Sequence, residues 1–179
     1  NFGTAALDLL DGEENDRVVI LELSSFQLMT LAKSPHIGVV LQTTSEHLDW
    51  HRSVEEYRDA KANLVRWQKP RDYCIAFYDA EGSHWIAEQG GGRQLWFGAG
   101  DSRFAATLYA GGLRIDDVLL ELDQCRVRGA HQLENMAAAA LAAKVCGVTP
   151  ALALEALKTY EGLPYRLQYR GTFGNIDFY

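Results

Sequence analysis

Cysteine is scarce in this 179-residue chain, and the three present, Cys74, Cys125 and Cys146, form no C-x-x-C or C-x-x-H pair. An odd, scattered set excludes a disulfide framework and a structural zinc site, and reads as reduced thiols in a cytoplasmic protein. No apolar run approaches the about 18 residues of a membrane span, so membrane insertion is not expected. Positive charge is also in short supply: 17 Lys and Arg stand against 24 Asp and Glu, for a net charge of −7. That balance argues against a general nucleic-acid or anionic-membrane surface, and any anionic substrate must be held by a local site. There are only four prolines, and each falls at a boundary of the pattern described next.

What is present reads as an α/β domain. Arg17–Leu23, "RVVILEL", is a continuous β-branched and aliphatic run, expected to be a strand buried on both faces. "IGVVLQ" from Ile37 and "YCIAFY" from Tyr73 repeat that signature. The amphipathic "SSFQLMTLAKS" separates the first two and ends at Ser34-Pro35. Ser53–Lys69 separates the second and third, with Ser53 and Glu56 as a capping box and Pro70 as its stop. Alternating strands and helices imply a mostly parallel sheet with right-handed crossovers. The middle third, glycine-divided from "GGGRQLWFGAGDSR" to "VLLELDQCRVRG", predicts a small antiparallel patch. Gln132–Cys146 predicts an alanine-rich helix closed by Gly147, and Thr149-Pro150 opens another. Gly162-Leu163-Pro164 marks a boundary, with residues 1–163 as one domain. Residues 164–179 alternate like a hairpin and read as the start of another domain. Asn1 is not a natural start, so the chain is expected to be part of something longer.

Ligand sites of open parallel sheets lie beyond the carboxyl ends of the strands. Two such ends carry polar clusters: Glu22 with Ser24, Ser25 and Gln27, and Glu46 with His47, Asp49 and His51. A glutamate in an apolar strand is costly unless paired or metal-bound. Glu22 with His47 as a hard-cation site, and Glu22 as a mere strand-end cap, both stand open from spacing alone. H-x-D-x-H at 47–51 also fits a metallohydrolase, though no second ligand cluster accompanies it, and Trp50 fits a packing role as well as a substrate wall. Gly90-Gly91-Gly92 lacks a following Lys-Ser/Thr and reads as a surface turn, not a phosphate loop. His131 and Asn135 at a helix opening suit either a nucleotide or plain capping.

Taken in order, "LELSSFQL", "TSEHLDWH", "YRDAK", "GAHQLENMAAAALA" and "GLPYR" resemble the Mur ligases, with "ELSSFQL" the string of members that add D-glutamate. The resemblance runs from Asn1-Phe2-Gly3 to Tyr179 and implies the family's central, P-loop NTPase-like domain. It implies ATP and Mg2+ as cofactors, UDP-N-acetylmuramoyl-L-alanine and D-glutamate as substrates, an acyl-phosphate intermediate, and a cytoplasmic monomer serving peptidoglycan synthesis. It assigns Glu22 and His47 to magnesium, Asn135 and His131 to the adenine side, and Arg166 to the γ-phosphate. Asn1, Ser24 and Gln27 fall to the UDP-sugar. Lys61, of "YRDAK", matches a lysine that carbon dioxide converts to a carbamate, an anion that helps position the metal. The chain departs from the family at Gln132, Phe77 and Tyr165, where asparagine, asparagine and histidine are usual, and it contains no Gly-Lys-Ser/Thr phosphate loop. Another amino-acid ligase of the superfamily and a degenerate binding domain are the alternative readings. The fragment alone is expected to be inactive and to bind ATP weakly.

Overall fold

A computed structural model describes residues 17–43, 51–101, 103–127, 129–164 and 168–179. Its centre is β2 (Tyr73–Phe77), a strand with helices on both faces. Side chains alternate across a strand, and here both sets are buried. Ile75 and Phe77 face one cluster with Phe97, Leu113, Leu133 and Leu141, whereas Cys74 and Ala76 face the other with Val40, Val65 and Ile86. The near-continuous hydrophobic run of β2 is therefore a direct consequence of two covered faces. Burial pushes the Cys74 thiol up to about 12.

β1 (Ile37–Val40) and β3 (Arg93–Ala99) flank β2, both parallel to it, with Ile37 opposite Tyr73 and Tyr73 opposite Arg93. β4 (Ala106–Tyr109) joins β3 in parallel, and β5 (Gly112–Ile115) and β6 (Val118–Glu121) follow as antiparallel hairpins. The sheet order is β1-β2-β3-β4-β5-β6. The α/β reading holds, and the antiparallel patch is real. "GGGRQLWFGAG" belongs to the parallel part instead, because a helix unmarked by strong periodicity, α3 (Glu81–Ala87), supplies the crossover between β2 and β3.

α1 (Ser25–Met29) is one short turn-rich helix. α2 (Val54–Ala62) starts at the expected cap, with Ser53 Oγ accepting from Glu56 N at 3.2 Å. The Glu56 carboxylate closes back one residue further, on Arg52 N at 2.6 Å, and α2 ends well before Lys69 in a series of turns. α4 (His131–Val145) lies across the sheet on the face opposite α3, and α5 (Pro150–Lys158) packs on α4 and β6, capped by Thr149 with Pro150 in its first turn. The C-terminal hairpin is present as β7 (Gly171–Phe173) and β8 (Ile176–Phe178), a separate two-stranded sheet.

The first expected strand is not formed. Residues 17–24 carry no strand pairing, and Ile20 is 87% and Val18 65% exposed. Apolar patterning specifies a buried strand only where a sheet offers it both a ladder and a covering layer. Beyond β1, the outermost strand of the described sheet, this run has neither. The glycine run is also more than a surface turn: a Cβ on Gly90 would stand 2.4 Å from Val65 O, and one on Gly92 2.5 Å from Gln68 Oε1. The run passes tightly under the turns after α2.

Gly82, in the first turn of α3, makes a similar close approach to the end of β1, where a Cβ would sit 2.6 Å from Thr43 O. Gly82→Ala is expected to destabilise the chain by about 1–3 kcal/mol despite alanine's better helix propensity. Urea denaturation showing an unchanged midpoint would contradict that packing.

Candidate functional site

Parallel pairing brings the carboxyl ends of β1, β2 and β3 to one edge of the sheet. At the end of β1 the backbone is pinned by Ser83 of α3, which is fully buried. Its Oγ donates to Leu41 O at 2.7 Å and accepts from Thr43 N at 3.0 Å. A chain leaving a strand has unpaired backbone groups, and one hydroxyl here satisfies both a donor and an acceptor. Residues 44–50, with His47 and Asp49, follow this anchor but lie outside the described residues, as do Asn1 and Arg166.

At the end of β2, Asp79 folds over Gly98 and accepts from Ala99 N at 2.6 Å, locking the ends of β2 and β3 together. Tyr78, half in solvent, stands among His84 (4.8 Å between ring centres), Trp96 (5.4 Å) and Phe104 (4.8 Å). A recess of about 350 Å³ opens beside Tyr78 and Asp79, lined further by Glu81, His84, Trp85 and Glu88. A larger recess, about 770 Å³, lies between Lys33, His36, Trp67, Lys69 and Arg71 at the opposite edge, where β1 and β2 begin. Size alone favours the second. The strand-end rule for open parallel sheets favours the first, because only that edge gathers loop termini and a helix start around one point.

The helix start lining that recess is that of α3, at Glu81. Partial burial raises the Glu134 carboxyl above its usual value. In the first turn of α4 His131 opposes the shift, and Asp79, just past β2, adds to it. His131 and Asn135, expected on the adenine side, are both exposed on this helix. α4 has no side-chain cap at Ala130, and backbone closes its first turn instead, with Gln132 N donating to Gly129 O and Leu133 N to Ala130 O, each at 3.0 Å. Beyond β3, the Arg103 fork holds Asp101 down to about 2 and is itself taken up by that carboxylate. Phe77, where the resemblance leads one to expect asparagine, is a core residue against Phe97 at 5.5 Å.

On the other side of the strand ends, α1 and α2 pack together. Ser24 and Gln27 are adjacent and bond each other, with Ser24 N donating to Gln27 Oε1 at 2.9 Å and Gln27 N to Ser24 Oγ at 3.4 Å. They form a reciprocal capping box that fixes the first turn of α1. Glu22 is exposed two residues earlier, on an irregular segment instead of inside a strand. Lys61, in the last turn of α2, is half-buried with Nζ 5.1 Å from the Tyr57 ring centre. His51 is only 2% exposed, its Nε2 sharing a 3.0 Å hydrogen bond with Ser25 Oγ. That location makes His51 part of the α1–α2 packing and removes it from the metallohydrolase set.

Among the described residues no three His, Cys, Asp or Glu side chains gather to hold a metal ion. Magnesium does not demand such a cage, since it is held by one or two carboxylates and completed by waters and phosphate oxygens. The exposed Glu22 carboxylate fits that donor chemistry. Ser83, Asp79, Tyr78 and Glu134 went unassigned by sequence reasoning. The only advance signal was their position one to three residues past a strand or inside the first turn of a helix.

The sequence matches the Mur ligase middle domain over residues 4–143. The chain belongs to the Mur ligase family. It is 34% identical over its whole length to the UDP-N-acetylmuramoylalanine–D-glutamate ligase of Bacillus velezensis, and 32% identical to that of Streptococcus thermophilus. It spans 40% of the length of each of these relatives. Among solved structures it is similar to a UDP-N-acetylmuramoyl-L-alanyl-D-glutamate–2,6-diaminopimelate ligase, with a TM-score of 0.67 at 18% identity, covering 84% of this chain and 34% of the other. It is also similar to the MurF ligase of Thermotoga maritima in complex with ADP, with a TM-score of 0.60 at 18% identity, covering 79% and 34%. These two likenesses establish the shared fold.

Glu134 gives the site a pH signature. A carboxyl whose folded value is raised binds its proton more tightly in the native state. Its contribution therefore turns unfavourable as pH climbs from the usual 4.5 through the folded value, and stays so above it. Glu134→Gln is expected to raise the melting temperature at pH 7 and to lose that advantage near pH 4. Melts showing the same shift at both pH values would contradict this.

Proposed function

We propose that the protein carrying this chain is an ATP-dependent ligase that joins D-glutamate to UDP-N-acetylmuramoyl-L-alanine in peptidoglycan precursor synthesis. The observation that carries the reading is the full-length similarity, at 34% and 32% identity, to two ligases named for that reaction. The folylpolyglutamate-type neighbours resemble this chain at a TM-score of 0.57 and 20% identity, which speaks for fold and not for substrate. In the proposed reaction the substrate carboxylate attacks the γ-phosphorus of ATP and ADP leaves. The amine of D-glutamate then adds to the acyl phosphate, loses a proton, and expels inorganic phosphate.

The roles follow the motifs that the chain shares with the Mur ligases. His131 and Asn135, at the opening of α4, take the adenine side of ATP, and Arg166 the γ-phosphate, a task suited to a permanently charged planar fork. Ser24 and Gln27, held in one turn by their mutual bonds, take the UDP-sugar together with Asn1. Glu22 and His47 hold Mg2+, which when bound neutralises the phosphoryl oxygens. Lys61, as its carbamate, adds an anion on the same side, which requires the amine to lose its proton and leave the Tyr57 ring face. The six-stranded sheet with its helices forms the ATPase domain to residue 163. The separate β7–β8 sheet supports a new domain from residue 164. The protein works as a monomer in the cytoplasm.

The test uses the full-length protein supplied with ATP, UDP-N-acetylmuramoyl-L-alanine and single amino acids. Ligation of D-glutamate is expected, and activity with meso-diaminopimelate instead would overturn the substrate choice. Lys61→Ala is expected to abolish ligation, with partial return of activity on adding short carboxylates. Wild-type rates in that variant would remove Lys61 from the mechanism.

A further inference from the structure

His51 is the most buried imidazole of the described chain, and none of the roles above uses it. Its Nε2 reaches Ser25 Oγ at 3.0 Å, in the first turn of α1 beside the Ser24–Gln27 box. Its ring lies parallel to Phe26 at 5.5 Å and meets the Tyr57 ring edge-on at 5.3 Å. Tyr57 in turn carries Lys61 Nζ over its face at 5.1 Å. Among the described residues the second ring nitrogen, Nδ1, has no hydrogen-bond partner, and the Glu56 carboxylate oxygen Oε2 is 3.8 Å away. That charge favours the ring proton on Nδ1, which makes Nε2 the acceptor and the Ser25 hydroxyl the donor.

Ser25, His51 and Glu56 stand in the order of a nucleophile, a base and its orienting acid. They cannot act as one, because Ser25 is 3% exposed and the Nδ1–Glu56 separation exceeds a hydrogen bond. A buried polar bond between two short elements instead fixes where each sits. We propose that His51 is a positioning residue for the sugar side of the site. Its hydrogen bond to Ser25 fixes the α1 turn that presents Ser24 and Gln27.

The inference rests on the functional reading for what Ser24 and Gln27 do, and its test separates that reading from the positioning role. In the full-length ligase, His51→Phe keeps a ring and loses the bond, and Ser25→Ala loses the same bond from the other side. Each is expected to raise the KM for the UDP-sugar about tenfold, with kcat and the KM for ATP within about threefold of wild type. The double variant should be no worse than either single one, as for two halves of one interaction. His51→Gln keeps a donor or acceptor near Ser25 without the ring, and should restore the sugar KM. An unchanged sugar KM, an equal rise for ATP, or multiplied effects in the double variant would overturn the proposal.

If the wild-type protein ligates no amino acid to the UDP-sugar, the functional reading fails and amide exchange on the 179-residue chain decides the positioning role. His51→Phe should speed exchange across Ser25–Met29 at least about tenfold while leaving Tyr73–Phe77 unchanged. No acceleration in α1, or an equal one in β2, would overturn it there as well.

Discussion

Everything in this fold depends on β2 being covered twice. Once Cys74 and Ala76 are committed to the α2–α3 side and Ile75 and Phe77 to the α4 side, the neighbouring strands have little freedom. A one-residue slip of β2 would exchange both sets at once. The parallel pairing to β1 and β3 then follows, and with it the gathering of three strand ends at a single edge. Side chains at that edge need no long-range fixing of their own, because the backbone beneath them is already in place.

What remains local is the finish of each strand end. Ser83 closes the end of β1, and Asp79 ties β2 to β3. Each is a small polar group satisfied by backbone, which fixes geometry at the cost of little flexible side chain. Across from them, α1 and α2 form a second unit held by His51 and by Asn63, whose Nδ2 donates to Leu28 O at 3.0 Å. The candidate site thus lies between a rigid sheet edge and a small helical pair.

Much of the sheet was legible because its signals are periodic. β2, β1, α4 and the Thr149-Pro150 start of α5 come directly from apolar runs, alanine content and capping chemistry. Arg17–Leu23 misled for the same reason: its composition is that of a buried strand, but composition cannot supply a neighbour. α3 escaped because its seven residues include Gly82 and Ser83, poor helix formers in isolation that are retained for contacts with the end of β1. The site residues divide similarly. His131, Asn135, Ser24, Gln27 and Lys61 are proposed from motif; the structure has the first four at the openings of α4 and α1 and Lys61 in the last turn of α2. Asp79 and Glu134 carry no motif, and only the fold reveals that the Asp79 charge adds to the raised Glu134 carboxyl.

The irregular run at 17–24 carries a further meaning for how this polypeptide behaves among other molecules. β1, Ile37–Val40, has neither a charge nor a proline, and it forms the rim of the described sheet. Natural sheets blunt such rims with lysine, proline or a bulge, because bare backbone invites a foreign strand. Here the greasy segment before α1 lies open as well, with Ile20 almost wholly in solvent. The same feature that denies this run a place in the sheet makes the chain, handled by itself, prone to self-association through backbone pairing. Its net charge of −7 provides the main opposing force.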